Sequence, residues 1–167
     1  TRYEMAEIFS RLVVLPEESS HSFTDVDGAH STVVGQLVRA EIINGFSDGT
    51  FRGQSPMTRA QVSKILCLML DLQPDSRSTE FTDLSRHWAA GYISSLTHEG
   101  YIAGYPDGTF RPDNEVTRAE FVTLINRIIG REDLEGEDPT FSDVKETFWA
   151  KSDICKASFP LSTHITQ

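Results

Sequence analysis

Apolar residues recur at three- and four-residue spacing in several stretches of the chain, separated by short polar segments rich in Gly, Asp, Ser and Pro. Met5, Ile8, Phe9 and Leu12 form one such stripe and predict a helix from about Arg2 to Val14, which Pro16 ends. Val33, Val34, Leu37, Val38 and Ile42 predict a second helix from about Thr32 to Ile43. Val62, Ile65, Leu66 and Met69 predict a third, from about Arg59 to Leu70. Trp88, Tyr92, Ile93 and Leu96 mark a fourth between Trp88 and Glu99, with Gly100 as its carboxyl-terminal cap. Phe121, Val122, Leu124, Ile125 and Ile128 set a fifth from Arg118 to Ile129, and Trp149 and Ile154 suggest a sixth.

These stripes repeat. Tyr101–Arg127 reads YIAGYPDGTFRPDNEVTRAEFVTLINR, and from Ile42 the chain reads IINGFSDGTFRGQSPMTRAQVSKIL. Phe51 and Phe110 lie 59 residues apart, as do Thr58 and Thr117, while the amino terminus, TRYEMAEIFSRL, repeats only the helix start. FTDVDGAHSTVVGQLVRAEIING and FTDLSRHWAAGYISSLTHEGYIAG match with one position of slippage. The chain therefore divides into the second half of a unit (1–15), two full units (23–72 and 81–130), and the first half of another with a divergent tail (141–167). The expectation is one all-α domain over 1–167, in which the two terminal halves pack together as a third unit and six helices form three pairs; the alternative is an excerpt of a longer chain whose remaining residues supply the partner. Asp48-Gly49 and Asp107-Gly108 are turn signals, giving either small hairpins or compact loops. Gly45, Gly49, Gly104 and Gly108 are turn residues in this reading and lack the context of a phosphate loop.

With 15 Lys and Arg against 25 Asp and Glu, the net charge of -10 argues against general polyanion binding, nucleic acid included. No apolar segment is long enough to span a membrane, so membrane insertion is not expected; no leader is visible, which does not place the chain in the cytosol. Cys67 lies in an apolar run and reads as a buried free thiol, whereas Cys155 is open between burial and a long-range disulfide.

Thr58–Gln61 and Thr117–Glu120 fit the capping box, as does Thr1–Glu4: the threonine oxygen accepts the N3 amide and the Glu or Gln side chain reaches back. Capping does not explain the next residue. Arg2, Arg59 and Arg118 stand at N1, where a cation opposes the helix dipole. Either a nearby carboxylate of the chain pairs with each arginine, or an external carboxylate does, which a guanidinium and free helix amides both favour. Arg52 and Arg111, after the turn phenylalanines, either add positive potential or are solvated or paired internally.

The residues FTDL followed by His87-Trp88, GYPDGTFRP from Gly104 to Pro112, and VTRAE from Val116 to Glu120 resemble the S-layer homology domain family, and the resemblance covers nearly the whole chain. GFSDGTFRG and MTRAQ repeat it, and FSDV with Phe148-Trp149 begins the last unit. The resemblance implies a pseudo-threefold, three-pronged helical domain. It would attach an exported or S-layer protein non-covalently to the bacterial cell wall by binding secondary cell-wall polysaccharide, particularly pyruvylated glycan. Secreted, surface localisation follows, with no cofactor and no metal. Carried over residue by residue, it implies glycan contacts at Arg2, Arg59 and Arg118, at Asp25, Asp83 and Asp143, and at Trp88 and Trp149, with Arg52 and Arg111 adding to the positive potential. Each tryptophan either covers the core, presents a ring face to a sugar, or does both with one edge exposed.

Departures from the pattern predict unequal sites. Ala29-His30-Ser31 stands where the first full unit should carry a tryptophan, Tyr3 replaces an alanine, Gln61 replaces an acid, and the last unit has no Asp-Gly loop. Because the unit starting at Phe81 has the fullest motif, Arg118→Ala is expected to weaken binding most and Arg59→Ala less. The alternatives are weaker. No segment supplies a complete calcium-loop donor pattern, the five histidines form no metal motif or nucleophile network, and the remaining competitor is a helical-repeat protein-interaction scaffold without glycan binding.

Overall fold

The computed structural model describes residues 1–75, 80–131, 141–145 and 147–158. Its six helices are α1 (Arg2–Phe9), α2 (Ser31–Arg39), α3 (Arg59–Met69), α4 (Ala90–His98), α5 (Arg118–Ile128) and α6 (Lys151–Ser158). Among the described residues there is no strand, only an isolated antiparallel bridge between Thr58 and Glu115. The protein is all-α. It forms two compact units, Thr1–Glu115 and Val116–Gln167.

In the first unit α1 packs on α2 and α3 on α4; in the second α5 packs on α6. Each helix that opens with Thr-Arg thus takes as partner the first helix of the following repeat. In all three pairs the partner comes from the next repeat. The first unit's core holds Phe9, Val34, Leu37, Ile43, Phe51, Met57, Val62, Leu66, Ile93, Leu96 and Phe110, all 2% exposed or less. The apolar stripes read from sequence supply the helical part of this core, and Ile43, Phe51, Met57 and Phe110 join it from the connecting segments.

The helices are shorter than their stripes predict: α2 ends at Arg39 where Ile43 was expected, and α3 and α5 each end one residue early. α1 stops at Phe9 because the chain tightens into three-residue bonds from Arg11 to Ile8 and from Leu12 to Phe9; Val14, entirely exposed, has nothing to pack against. α4 begins at Ala90, so Trp88 lies in the turn before it. Cys67 and Cys155 are both buried and neither forms a disulfide among the described residues, and burial pushes the Cys67 thiol up. No helix among the described residues is long and apolar enough to cross a membrane.

Four helices end alike. Glu41, Asp71, Gly100 and Gly130 all have positive φ, between 53° and 77°. The amide after each bonds the carbonyl five residues back: Ile42 to Leu37, Leu72 to Cys67, Tyr101 to Leu96 and Arg131 to Asn126. This is the glycine-favouring helix stop, occupied by glycine in only two cases. Glu41→Gly and Asp71→Gly are therefore each expected to raise stability by about 0.5–1 kcal/mol, the left-handed strain removed less the extra unfolded freedom of glycine. Gly100→Ala is expected to lower it by about 1 kcal/mol. Urea unfolding measures all three.

Candidate arginine and aromatic loop sites

The Asp-Gly segments are compact loops, not strand hairpins. In the first, the Phe46 amide donates to the Thr50 carbonyl at 2.8 Å and the Gly49 amide to that of Phe46 at 3.1 Å. Asp48 fixes the turn by accepting from the Thr50 amide at 3.0 Å and its hydroxyl at 2.6 Å. Gly49 has φ +79°, the turn role expected of it, but Gly45 is needed for packing: a Cβ there would come within 2.1 Å of the Phe23 ring. The second loop repeats this, with Asp107 holding Thr109 at the same distances and Gly104 pressed on Phe81.

Each loop is gripped from two sides. Asp25 accepts from the amides of Phe51 at 2.6 Å and Arg52 at 2.8 Å; Asp83 accepts from those of Phe110 at 2.9 Å and Arg111 at 2.7 Å. On the other side, Arg2 donates through Nε to the Phe51 carbonyl and through Nη2 to that of Asn44, both at 2.7 Å. Its guanidinium lies 4.5 Å from the Phe51 ring centre and 5.1 Å from that of Phe46. Arg59 donates to the carbonyls of Phe110 at 2.9 Å and Ala103 at 3.3 Å, over the rings of Phe110 at 4.3 Å and Tyr105 at 5.0 Å. Arg52 and Arg111 complete the sites. Each lies 4.0 Å over the ring of Phe46 or Tyr105, bonded to Asp48 or Asp107 at 2.7 and 2.8 Å.

Every site thus combines two guanidiniums, an aromatic ring that both approach, and two aspartates used in holding the loop. Arg52 and Arg111 adopt φ 56° and 58°, a strained backbone for arginine, present in both copies. The electrostatics follow from the contacts. Burial pushes Arg2 down to about 10, with Asp25 pulling up and Arg52 pushing down further, so it stays charged at neutral pH. The Thr50 hydroxyl, the Arg52 guanidinium and the Thr50 amide hold Asp48 at about 2, and the equivalent groups hold Asp107 at about 2. The Phe51 amide leads in lowering Asp25. At Asp83 burial pushes upward, but the Phe110 and Arg111 amides outweigh it.

Arg2 has one nitrogen, Nη1, without a hydrogen-bond partner among the described residues. Among the described residues no fully buried polar side-chain atom lacks a partner, so this nitrogen keeps some contact with the surface although the residue is only 4% exposed.

The capping boxes of Thr1–Glu4, Thr58–Gln61 and Thr117–Glu120 are formed, each with both reciprocal bonds. Burial of the three arginines that follow is graded: Arg2 is buried, Arg59 half-buried and Arg118 exposed. The physical reason is that the loop gripping a Thr-Arg helix comes from the next repeat: Arg2 meets the loop after α2, and Arg59 the loop after α4. The sequence after Gly108 contains no further Asp-Gly pair. Residues 159–167 lie outside the described part, and no loop of this kind stands over Arg118 among the described residues. Asp143 and Trp149 stand exposed in the second unit with Arg118. Trp88 and Trp149 are 56% and 62% exposed.

Phe46, Tyr105 and the carbonyls of Asn44 and Ala103 belong to the sites and were not singled out from sequence. The recurrence of an aromatic three residues before each Gly of the turn was the available signal. Among the described residues, no group of three or more His, Cys, Asp and Glu side chains is placed to hold a metal.

Helix pairs whose loops are clasped by an arginine from the preceding repeat define a helical-repeat domain with recurring guanidinium and aromatic sites. The S-layer homology domain matches residues 22–63 and 80–122, about half of the chain. The chain is 36% identical, over 93% of its length, to a cellulosome-anchoring protein of Acetivibrio thermocellus, and 35% identical, over 92%, to cell surface glycoprotein 1 of the same organism. It is also 30% identical, over 69%, to a surface layer protein of Brevibacillus choshinensis. It spans 38%, 7% and 11% of the respective relatives. The chain belongs to the S-layer homology domain family.

The depressed aspartates give a testable pH dependence. A carboxylate lowered from 3.8 to about 2 contributes its loop contacts fully above the ordinary value, and these are lost as pH falls through about 2. Carbon-detected NMR titration is expected to place Asp48 and Asp107 at about 2. Arg52→Gln is expected to raise the Asp48 midpoint towards 3.8 and leave Asp107 where it was.

Proposed function

We propose that this chain anchors an exported or S-layer protein non-covalently to the bacterial cell wall by binding acidic, pyruvylated secondary cell-wall polysaccharide, and that it does so without catalysis. Its place of action is the outer surface of the wall. The observation that carries the reading is Arg2: a buried guanidinium whose hydrogen bonds go to two backbone carbonyls, leaving one nitrogen at the surface. Such a cation is desolvated yet retains an edge that a ligand carboxylate can reach, and the adjoining guanidinium of Arg52 adds to its field. Arg59 and Arg111 repeat the frame. Two such sites on one chain, met by a polymer with a carboxylate in each repeat, bind with an effective concentration that neither has alone. The names of the relatives, an anchoring protein and surface proteins, agree with this role.

Binding of purified wall polysaccharide, measured by calorimetry before and after mild acid removal of its pyruvyl ketals, tests the chemistry; retained affinity after removal would reject it. Arg59→Ala is expected to weaken binding about tenfold or more, the loss of a charged hydrogen bond of about 1.5–3 kcal/mol. It also removes the bond to the Phe110 carbonyl, so a fall in stability of about 1–2 kcal/mol accompanies it. Arg118 is exposed and no Asp-Gly loop stands over it among the described residues, so Arg118→Ala is expected to weaken binding less than Arg59→Ala. A larger loss from Arg118→Ala than from Arg59→Ala would overturn the assignment.

A further inference from the structure

In both loop sites three consecutive residues hold the Asp-Gly turn. In the first they are Phe23, Thr24 and Asp25. The Phe23 ring fills the space a Cβ on Gly45 would take and lies 5.5 Å from the Phe51 ring. The Thr24 amide donates to the Gly49 carbonyl at 3.2 Å, and Asp25 accepts from the Phe51 and Arg52 amides. Phe81, Thr82 and Asp83 repeat each contact in the second: the Phe81 ring against Gly104 and 5.5 Å from Phe110, the Thr82 amide on the Gly108 carbonyl at 3.0 Å, and Asp83 on the Phe110 and Arg111 amides. Ring, amide and carboxylate in a row form a clasp for one kind of turn.

Phe141, Ser142 and Asp143 are a third copy of this clasp. Serine for threonine leaves it intact, since the contact is made by the backbone amide. The segment is folded like the second: the Val144 amide bonds the Phe141 carbonyl at 3.1 Å as Leu84 bonds Phe81 at 3.4 Å, and the bonds from Phe148 to Lys145 and Lys151 to Phe148 match those from His87 to Leu84 and Ala90 to His87. Yet Phe141 is 43% exposed where Phe23 and Phe81 are half-buried. Among the described residues neither the Ser142 amide nor the Asp143 carboxylate has a hydrogen-bond partner. The turns held elsewhere place Gly49 and Gly108 at φ 79° and 78°, and the sequence has no glycine after Gly136, so none of the residues from Phe141 to Gln167 repeats them. The two turns that these residues do carry are already held, one by Asp25 and Arg2, the other by Asp83 and Arg59.

We propose that Phe141, Ser142 and Asp143 are a docking surface for an Asp-Gly turn contributed by a further repeat outside these 167 residues. The other two clasps specify the partner: an Asp-Gly-Thr-Phe-Arg segment whose glycine carbonyl takes the Ser142 amide, whose Phe and Arg amides donate to Asp143, and whose ring lies against Phe141. The pairing of α5 with α6 makes Arg118 the arginine of this frame, as α1 with α2 makes Arg2 and α3 with α4 makes Arg59. The complementarity is specific: the turn offers amides to a carboxylate and carbonyls to a guanidinium, whereas a purely apolar partner covering Phe141 would strip water from Asp143 and return nothing. This contact is between protein segments and does not rest on the polysaccharide reading.

The probe is the peptide Gly-Tyr-Pro-Asp-Gly-Thr-Phe-Arg-Pro, a copy of residues 104–112, added to the full chain and followed by NMR at the Ser142 amide and the Asp143 carboxyl carbon. Both signals are expected to shift together and saturate, with a midpoint below about 1 mM, while the carboxyl carbons of Asp25 and Asp83 stay where they are. Asp143→Asn is expected to raise the midpoint about tenfold or more, the worth of charged hydrogen bonds. Because Asp143 is exposed and bonds nothing among the described residues, the same change is expected to leave the melting temperature of the chain alone unaltered. The peptide with alanine in place of its phenylalanine is expected to bind about tenfold more weakly, through loss of the ring contact. A midpoint above about 1 mM, a midpoint indifferent to Asp143→Asn, or shifts at Asp25 and Asp83 instead would each overturn the clasp. A chain that dimerises by itself and becomes monomeric with Asp143→Asn would overturn the source, putting a second copy's loop in place of a further repeat.

Discussion

A cation at the first turn of a helix faces the positive end of the dipole, and burying a guanidinium adds the cost of stripping its water. Arg2 meets both penalties and Arg59 meets the first with partial burial. What offsets them is directional. Two loop carbonyls accept from each side chain, and two aromatic faces flank it. The same contacts tie the loop to a helix far away in sequence: Arg2 bonds Phe51, Arg59 bonds Phe110. Asp25 and Asp83 grip the opposite edge through loop amides. A loop without strands or a core of its own is thereby fixed at both its donors and its acceptors.

This arrangement makes the physical unit different from the sequence unit. In sequence, the Asp-Gly loop and the Thr-Arg helix that follows it form one continuous motif, so Gly104–Pro112 and Arg118 appear to belong together. In space, Arg59 closes on that loop, and the next helix start would need a loop further along the chain. The helix pairing has the same offset, α1 on α2, α3 on α4 and α5 on α6. Each repeat therefore completes the one before it, as expected when a single repeat cannot bury its apolar face alone.

Local periodicity made the helices legible, and the Thr-x-x-Glu and Thr-x-x-Gln spacing made their starts legible, because both depend on residues within one or two turns. Gly100 was legible as a helix stop for the same reason. Glu41 and Asp71 were not, since neither residue announces the left-handed backbone that Ile42, Leu72 and the preceding helix impose. The arginines were marked as needing an anion, but their carbonyl partners lie about 50 residues away and leave no local trace. The part the aspartates play in holding the loop was hidden for a related reason. The loop amides that Asp25 and Asp83 accept from lie about 27 residues further along the chain, too far to show in a local pattern.

Each site is close to electrically balanced, two guanidiniums against two carboxylates, within a chain of net charge -10. Long-range attraction therefore cannot be what brings an acidic polymer to these loops, since charges beyond about 8 Å are largely screened at physiological salt. Balance at long range still permits selectivity at contact. Asp25 and Asp48 have spent their oxygens on amides, a hydroxyl and Arg52, whereas Arg2 keeps a nitrogen at the surface. A carboxylate reaching that nitrogen meets an unshared donor, and one that stops a few ångströms short meets a neutral surface. Under the proposed reading, recognition of this kind discriminates by fit rather than by charge, which suits an acidic protein working in a wall crowded with anions.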